Sequence, residues 1–141
     1  MKVKDIMTKQ VIGIREFETV DVAARTLERY NIGALPVYGI GGAVSGMITD
    51  RDLVTRCIAA GRQPEKTTVG QIMTNRVSYV TPEADVRAAA QLMSRRQIRR
   101  LPVMENGRIC GMVSLKDLAI REESALDAAD VLSDVSDNQI L

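Results

Sequence analysis

The sequence predicts an α/β (α+β) fold built from two tandem βαββα repeats packed with pseudo-two-fold symmetry. The first observation behind this is that the chain says the same thing twice. Val3-Lys4-Asp5-Ile6-Met7-Thr8 returns as Val69-Gly70-Gln71-Ile72-Met73-Thr74, and Leu35-Pro36-Val37 returns as Leu101-Pro102-Val103. Gly46-Met47-Ile48-Thr49-Asp50-Arg51-Asp52-Leu53 returns as Gly111-Met112-Val113-Ser114-Leu115-Lys116-Asp117-Leu118. The second observation is the spacing: the first two pairs share one offset, and the third is shorter by one residue. That is the mark of two copies of one folding unit with a loop-length difference. The third is size. A repeat this short rarely closes a core alone, so two copies should pack together.

Each repeat reads as strand, helix, strand, strand, helix. Val11-Ile12-Gly13-Ile14 is a short apolar strand. Thr19 opens a helix over about 20–31, with Val20, Ala23, Ala24 and Leu27 on one face. Ala34–Tyr38 is a buried strand, Gly39-Ile40-Gly41-Gly42 a turn, and Val44–Ile48 the returning strand. A second helix is predicted from about Asp50 to Ala60, ending at Gly61. In the second copy Val77–Val80 is the first strand. Thr81-Pro82-Glu83 starts a helix, which presents Val86, Ala89, Ala90 and Met93. Arg100–Met104 and Arg108–Val113 form a hairpin through Asn106-Gly107, a favourable type I′ pair. The resulting division is residues 1–60 for the first repeat, 61–68 for a linker, 69–121 for the second repeat and 122–141 for an acidic tail. The tail's Leu126, Ala129, Val131, Leu132 and Val135 suggest an amphipathic helix. Its acids suggest docking on a basic surface, which leaves the fold intact if the tail is removed.

Composition narrows the class. At 141 residues, 45% apolar and 26% charged, the chain fits a soluble globular protein. Only 3% is aromatic, so the core is aliphatic. Net charge is +1, but all 19 Lys and Arg precede residue 122, and the tail carries acids only. A basic body suits an anionic ligand. There is no histidine, and Cys57 and Cys110 occupy non-equivalent positions, so they read as free thiols. That leaves no His for a triad or a metal and no Cys pair at ligand spacing, nothing places Asp5 and Asp50 together as a pair of acids, and the chain reads as a non-enzyme. No apolar run is long enough to span a membrane and no signal peptide is visible, which points to the cytoplasm.

The sharpest local signal is Thr49-x-x-Asp52 and its copy Ser114-x-x-Asp117. A hydroxyl followed three residues on by an acid is a helix-capping device found in any protein. Here it occurs at the same place in both repeats, beside a base each time (Arg51, Lys116). A carboxylate so placed can accept two hydrogen bonds from a ribose diol, and the hydroxyl and base can meet a phosphate. Capping and binding are compatible.

With these motifs in view, the chain resembles a CBS domain pair (Bateman module), and in particular the stand-alone bacterial examples. The resemblance covers about residues 3–121. It implies an adenosine ligand, such as AMP, ADP, ATP or S-adenosylmethionine, held in clefts between the repeats. It implies that Asp52 and Asp117 hold ribose hydroxyls and that Thr49 and Ser114 lie beside ribose and phosphate. By the same resemblance Gly33 and Ala34 line the first cleft, and Arg99 and Arg100 the second. Val77 and Ser78 close the first, and Val11 and Ile12 the second. It implies a homodimer through the helices, no required cofactor, and signalling by shape change to a protein target the sequence does not identify.

The second cleft is the more basic, with Arg99, Arg100 and Lys116 against Arg51 alone in the first. Guanidinium groups suit phosphate oxygens. The Asp117 cleft is therefore expected to take the more phosphorylated ligand and the Asp52 cleft to bind less. Two alternatives have their own signatures. A ligand-free interaction module would show no ligand-induced stabilisation. A nucleic-acid binder would be retained on nucleic acid in a salt-dependent way, though four scattered aromatics give no stacking platform.

Overall fold

A computed structural model of the chain describes residues 1–120 and 125–137. Two compact units emerge, and they do not follow the repeat boundaries. One is Ile12–Val77; the other joins Met1–Val11 to the chain from Ser78 onward. The leading segment of each sequence repeat thus completes the unit built mainly from the other repeat.

In the Ile12–Val77 unit, β1 (Ile14–Arg15) runs parallel to β2 (Ala34–Tyr38), which pairs antiparallel with β3 (Val44–Thr49). The expected strand Val11–Ile14 shrinks to β1, because only Ile14 and Arg15 find partners, in Val37 and Tyr38. Helix α1 (Val20–Tyr30) ends at Asn31, which takes the left-handed conformation at φ 51°. Thr19 precedes it, but its hydroxyl donates to the Asp21 carboxylate rather than capping a backbone N–H. The next helical segment, α2, opens over Asp50–Asp52 and continues as a π-helix over Leu53–Ile58. Its wider winding shows in Ala59 N–H donating to Val54 O at 2.8 Å. Cys57 is buried on this turn, while Val54 and Ile58 are each 59% exposed. The linker is ordered: Pro64–Lys66 form a 3₁₀ turn, and Thr67 is buried, its carbonyl accepting from Val20 N–H at 2.9 Å. Helix α3 (Val69–Ile72) follows, with Thr68 and Gln71 as its capping box. Leu35, Val37, Ile48, Val20, Ala23, Leu27, Val69 and Ile72 form the core.

The other unit begins with a 3₁₀ turn at Val3–Asp5. Helix α4 (Val86–Arg96) follows, then the hairpin β4 (Arg100–Glu105) and β5 (Arg108–Ser114), then α5 (Leu115–Ile120) and α6 (Ala125–Asp137). The expected strand Val77–Val80 is reduced to one bridge, Val80 to Val103. The expected cap Thr81 is displaced by Asp85, whose carboxylate accepts from Arg87 N–H at 2.8 Å. Residues 82–84 turn instead, since their backbone is engaged by the N-terminus: Lys4 N–H donates to Pro82 O and Val3 N–H to Ala84 O. Lys2 and Lys4 pair with Glu83 at 2.5 and 2.8 Å. The hairpin turn is as expected, with Asn106 and Gly107 at φ 55° and 77°. Helix α6 departs from expectation. Its Ala128, Val131 and Val135 are buried in the same core as Met93, Leu101, Val113 and Leu118. Helix α6 is therefore part of this unit's core, not an appendage.

The exchange of leading segments explains two of the repeated motifs. Thr8 bridges Met112 and Thr74 bridges Met47. A Cβ at Gly111 would stand 2.6 Å from Met7 Sδ and 3.0 Å from Thr8 O. One at Gly46 would stand 2.7 Å from both Met73 Sδ and Thr74 O. The Ile-Met-Thr segment lies so close over the strand that only glycine fits beneath it.

Candidate functional site

Both hydroxyl-acid motifs form reciprocal capping boxes. Thr49 N–H donates to Asp52 Oδ2 at 3.0 Å, and Asp52 N–H to Thr49 Oγ1 at 3.1 Å. Ser114 N–H donates to Asp117 Oδ2 at 2.8 Å, and Asp117 N–H to Ser114 Oγ at 3.1 Å. Each box sits where a strand end turns into a helix, next to the residues expected to line it. Asp50 N–H donates to Gly33 O at 3.0 Å, and Ala34 pairs with Thr49. Leu115 N–H donates to Arg99 O at 2.8 Å, and Arg100 pairs with Ser114. Arg51, Lys116, Arg99 and Arg100 are all exposed.

Some expected residues are not brought in as directly. Val11 and Val77 are half-buried in irregular backbone beyond the Thr8 and Thr74 bridges, with no strand of their own. Val77 belongs to the unit of Thr49 and Asp52, and Val11 to that of Ser114 and Asp117. Ser78 and Ile12 fall on the far side of each boundary, in the opposite unit from the motif they were expected to serve. Each motif is thus gathered with most of its partners inside one compact unit, assembled from pieces of both sequence repeats.

The two acids differ in what already holds them. Asp52 is 7% exposed. Its Oδ2 also accepts from the Thr74 hydroxyl at 3.5 Å, and its Oδ1 faces Arg56 Nε at 3.7 Å. Arg56 in turn donates to Ile72 O and Met73 O at 3.3 and 3.2 Å, at the C-terminus of α3. Asp117 is half-buried, and among the described residues it has no ion pair and no partner on Oδ1. Arg56 and Thr74 were missed by reading the sequence alone. Thr74 was legible as the end of the repeated Ile-Met-Thr. Arg56 carried a weaker signal, its place one turn beyond the acid. Its repeat counterpart, Arg121, lies outside the described residues.

Both thiols are free, Cys57 buried and Cys110 half-buried. Burial pushes the Cys110 thiol up from its usual value. Among the described residues no group of three or more Cys, Asp or Glu could hold a metal ion.

A family model described as the CBS domain matches residues 3–58 and again 69–124. The chain belongs to the CBS-domain family. It is a CBS pair, and such pairs are regulatory modules. It is 37% identical to the CBS domain-containing protein YhcV of Bacillus subtilis, over 98% of this chain and 97% of that one. It is 36% identical to Hypoxic response protein 1 of Mycobacterium tuberculosis, over 82% of this chain and 81% of that one. A crystal structure of Hypoxic Response Protein I with two coordinated zinc ions superimposes with a TM-score of 0.79, at 35% identity, covering 86% of this chain and 98% of that one. A hexameric CBS-CP12 protein from bloom-forming cyanobacteria gives a TM-score of 0.77 at 27% identity, covering 90% and 73%. Among the described residues, no helix is long and apolar enough to cross a membrane.

Proposed function

We propose that this CBS pair is a non-enzymatic sensor that binds an adenosine nucleotide at the Ser114/Asp117 motif and signals to a protein partner through a change of shape. The observation that carries this reading is how differently the two boxes are engaged among the described residues. There Asp117 Oδ1 has no partner, at a half-buried position beside exposed Lys116 and the exposed pair Arg99 and Arg100. That is what a ribose diol and a phosphate require of a site. Asp52 has both oxygens engaged within the chain. A ligand there must displace Arg56, so the first motif binds less or serves structure.

The same reading includes self-association. A homodimer through the helices finds the apolar faces of α1 and α4 largely consumed within their own units, because Val20, Ala23, Leu27, Val86, Ala89, Ala90 and Met93 are buried, with Ala24 left exposed. Exposed Val54 and Ile58 on α2 remain as candidates for a contact between copies. The hexameric CBS-CP12 relative supports assembly as a property open to this family. Sedimentation should find a dimer or larger, and a monomer at tens of micromolar (on the order of common assay concentrations) contradicts it.

The test of ligand binding is a thermal-shift panel of AMP, ADP, ATP and S-adenosylmethionine on the full chain. A ligand at a hundred times its dissociation constant should stabilise the protein by about 2.7 kcal/mol. No shift with any of them leaves the ligand-free interaction module as the better reading. Salt-dependent retention on nucleic acid would favour a nucleic-acid binder.

A further inference from the structure

Helix α6 has no counterpart in the other unit, and it lies beyond the residues that the family model matches. It packs on both α4 and α5. Helix α5, described over Leu115–Ile120, is the one that carries Asp117. A helix takes most of its stability from the packing of its apolar face, so it sits where its neighbours place it. Among the described residues α5 is held by the capping box at its first turn and by Leu118, fully buried next to Asp117 in the core to which α6 contributes Ala128, Val131 and Val135. A movement at Asp117 therefore cannot be separated from one at Leu118, and Leu118 shares its core with α6.

The seam between α4 and α6 is of a kind that can open. Over the described side chains of α6 the buried stripe is narrow, and beside it runs an open groove with Arg87, Gln91 and Arg95 on the α4 wall and Asp130 and Asp134 on the α6 wall. The two walls thus carry opposite charges. In the first motif Arg56 ties Asp52 to the end of α3 by an ion pair and two hydrogen bonds. Among the described residues the second box has no such side-chain tie, and α6 packs against the helix that carries it.

We infer that α6 is the output element of the Asp117 motif: occupancy of that motif and docking of α6 are coupled through α5. The inference rests on the nucleotide reading for its trigger, but the mechanical coupling stands apart from it. Binding that steadies the first turn of α5 tightens the seat of α6, and undocking α6 loosens the box. Thermodynamic linkage makes the two effects equal in size.

The experiment is hydrogen exchange by mass spectrometry on the full chain, with two arms. In the first, Val131→Asp undocks α6 without touching the motif, and Val131→Ala does so more gently in case the charged variant unfolds the unit. The amides of 115–120 should exchange at least tenfold faster in the first variant and severalfold faster in the second, while those of Ile12–Val77 stay unchanged. In the second arm, saturating ATP or AMP should slow exchange over 128–135 at least threefold in the wild type and not in Asp117→Ala. Unchanged exchange at 115–120 in both Val131 variants overturns the coupling. So does a nucleotide that binds the wild type while 128–135 exchange as before. If neither nucleotide binds, the sensor reading fails alone, and the Val131 arm still decides the coupling.

Discussion

Gly111 is a residue whose identity is set by something distant in sequence. A methyl group there meets Met7 Sδ at 2.6 Å and the Thr8 carbonyl at 3.0 Å. Gly111→Ala should destabilise the protein by about 1–3 kcal/mol through overpacking. The flexible Met7 can give where the carbonyl cannot, so Met7→Ala in the same chain should recover part of the loss. Chemical denaturation of the four proteins of that cycle measures it, and strict additivity would show that the contact is not the cause. Gly41 is a useful contrast, since a Cβ there meets nothing within 4 Å and only its φ of 88° favours glycine. A second residue-scale prediction concerns Glu83. Hydrogen bonds from Lys2 and then Lys4 hold its carboxyl at about 2, well below the 4.5 of a free glutamate. A depressed carboxylate contributes stability that is fully present above pH 4.5 and is lost as pH falls through about 2. The gap in Tm between wild type and Glu83→Gln should therefore be constant down to about pH 4.5 and close towards pH 2, and should shrink in high salt. A gap that does not change with pH would mean that the ion pairs do not tether the N-terminus.

Elements were legible where local chemistry decides them. The Asn106-Gly107 hairpin and the run Ala34–Tyr38 follow from turn residues and an apolar run, and α1 does start after Thr19, although the Thr19 hydroxyl turns to Asp21 instead of capping. Elements were misread where a distant segment outcompetes that preference. Thr81-Pro82-Glu83 has the composition of a helix start, but the Pro82 carbonyl is taken by Lys4 N–H, the Glu83 carboxylate by the Lys2 and Lys4 side chains and the next carbonyl, of Ala84, by Val3 N–H, so α4 begins after Asp85. The π winding of Leu53–Ile58 leaves no periodicity signal, because a single wide turn buries Cys57 as an ordinary helix would. The tail shows the limit from the other side. Its alternation of acids and apolar residues gave the helix, but only the fold puts Val131 and Val135 beside Leu118. Deleting residues 122–141 should thus destabilise the Ser78-onward unit, by at least about 2–3 kcal/mol from the loss of two buried valines. Denaturation of the truncated chain checks this, and an unchanged midpoint would show that α6 does not belong to the core.

At the scale of the whole molecule, the repeat was legible and its folding partition was not. Two copies of a motif set look like two units laid end to end. The structure instead threads each Ile-Met-Thr segment over the glycine of the other copy, so each compact unit draws on both ends of the repeat. No local signal marks that exchange; it follows from which glycine a methionine can cover. The candidate site was legible as a doubled box with one basic rim. What the sequence could not give is that Arg56 and Thr74 already satisfy Asp52, while among the described residues Asp117 Oδ1 has no partner. On that difference rests the proposed division into one structural box and one candidate sensor. Titration calorimetry with ATP and AMP tests that division most directly, run on the wild type, Asp117→Ala and Asp52→Ala. The account predicts one strong site per chain that is abolished in Asp117→Ala and retained within a few-fold in Asp52→Ala. Equal loss from both substitutions, or loss from Asp52→Ala alone, would contradict it.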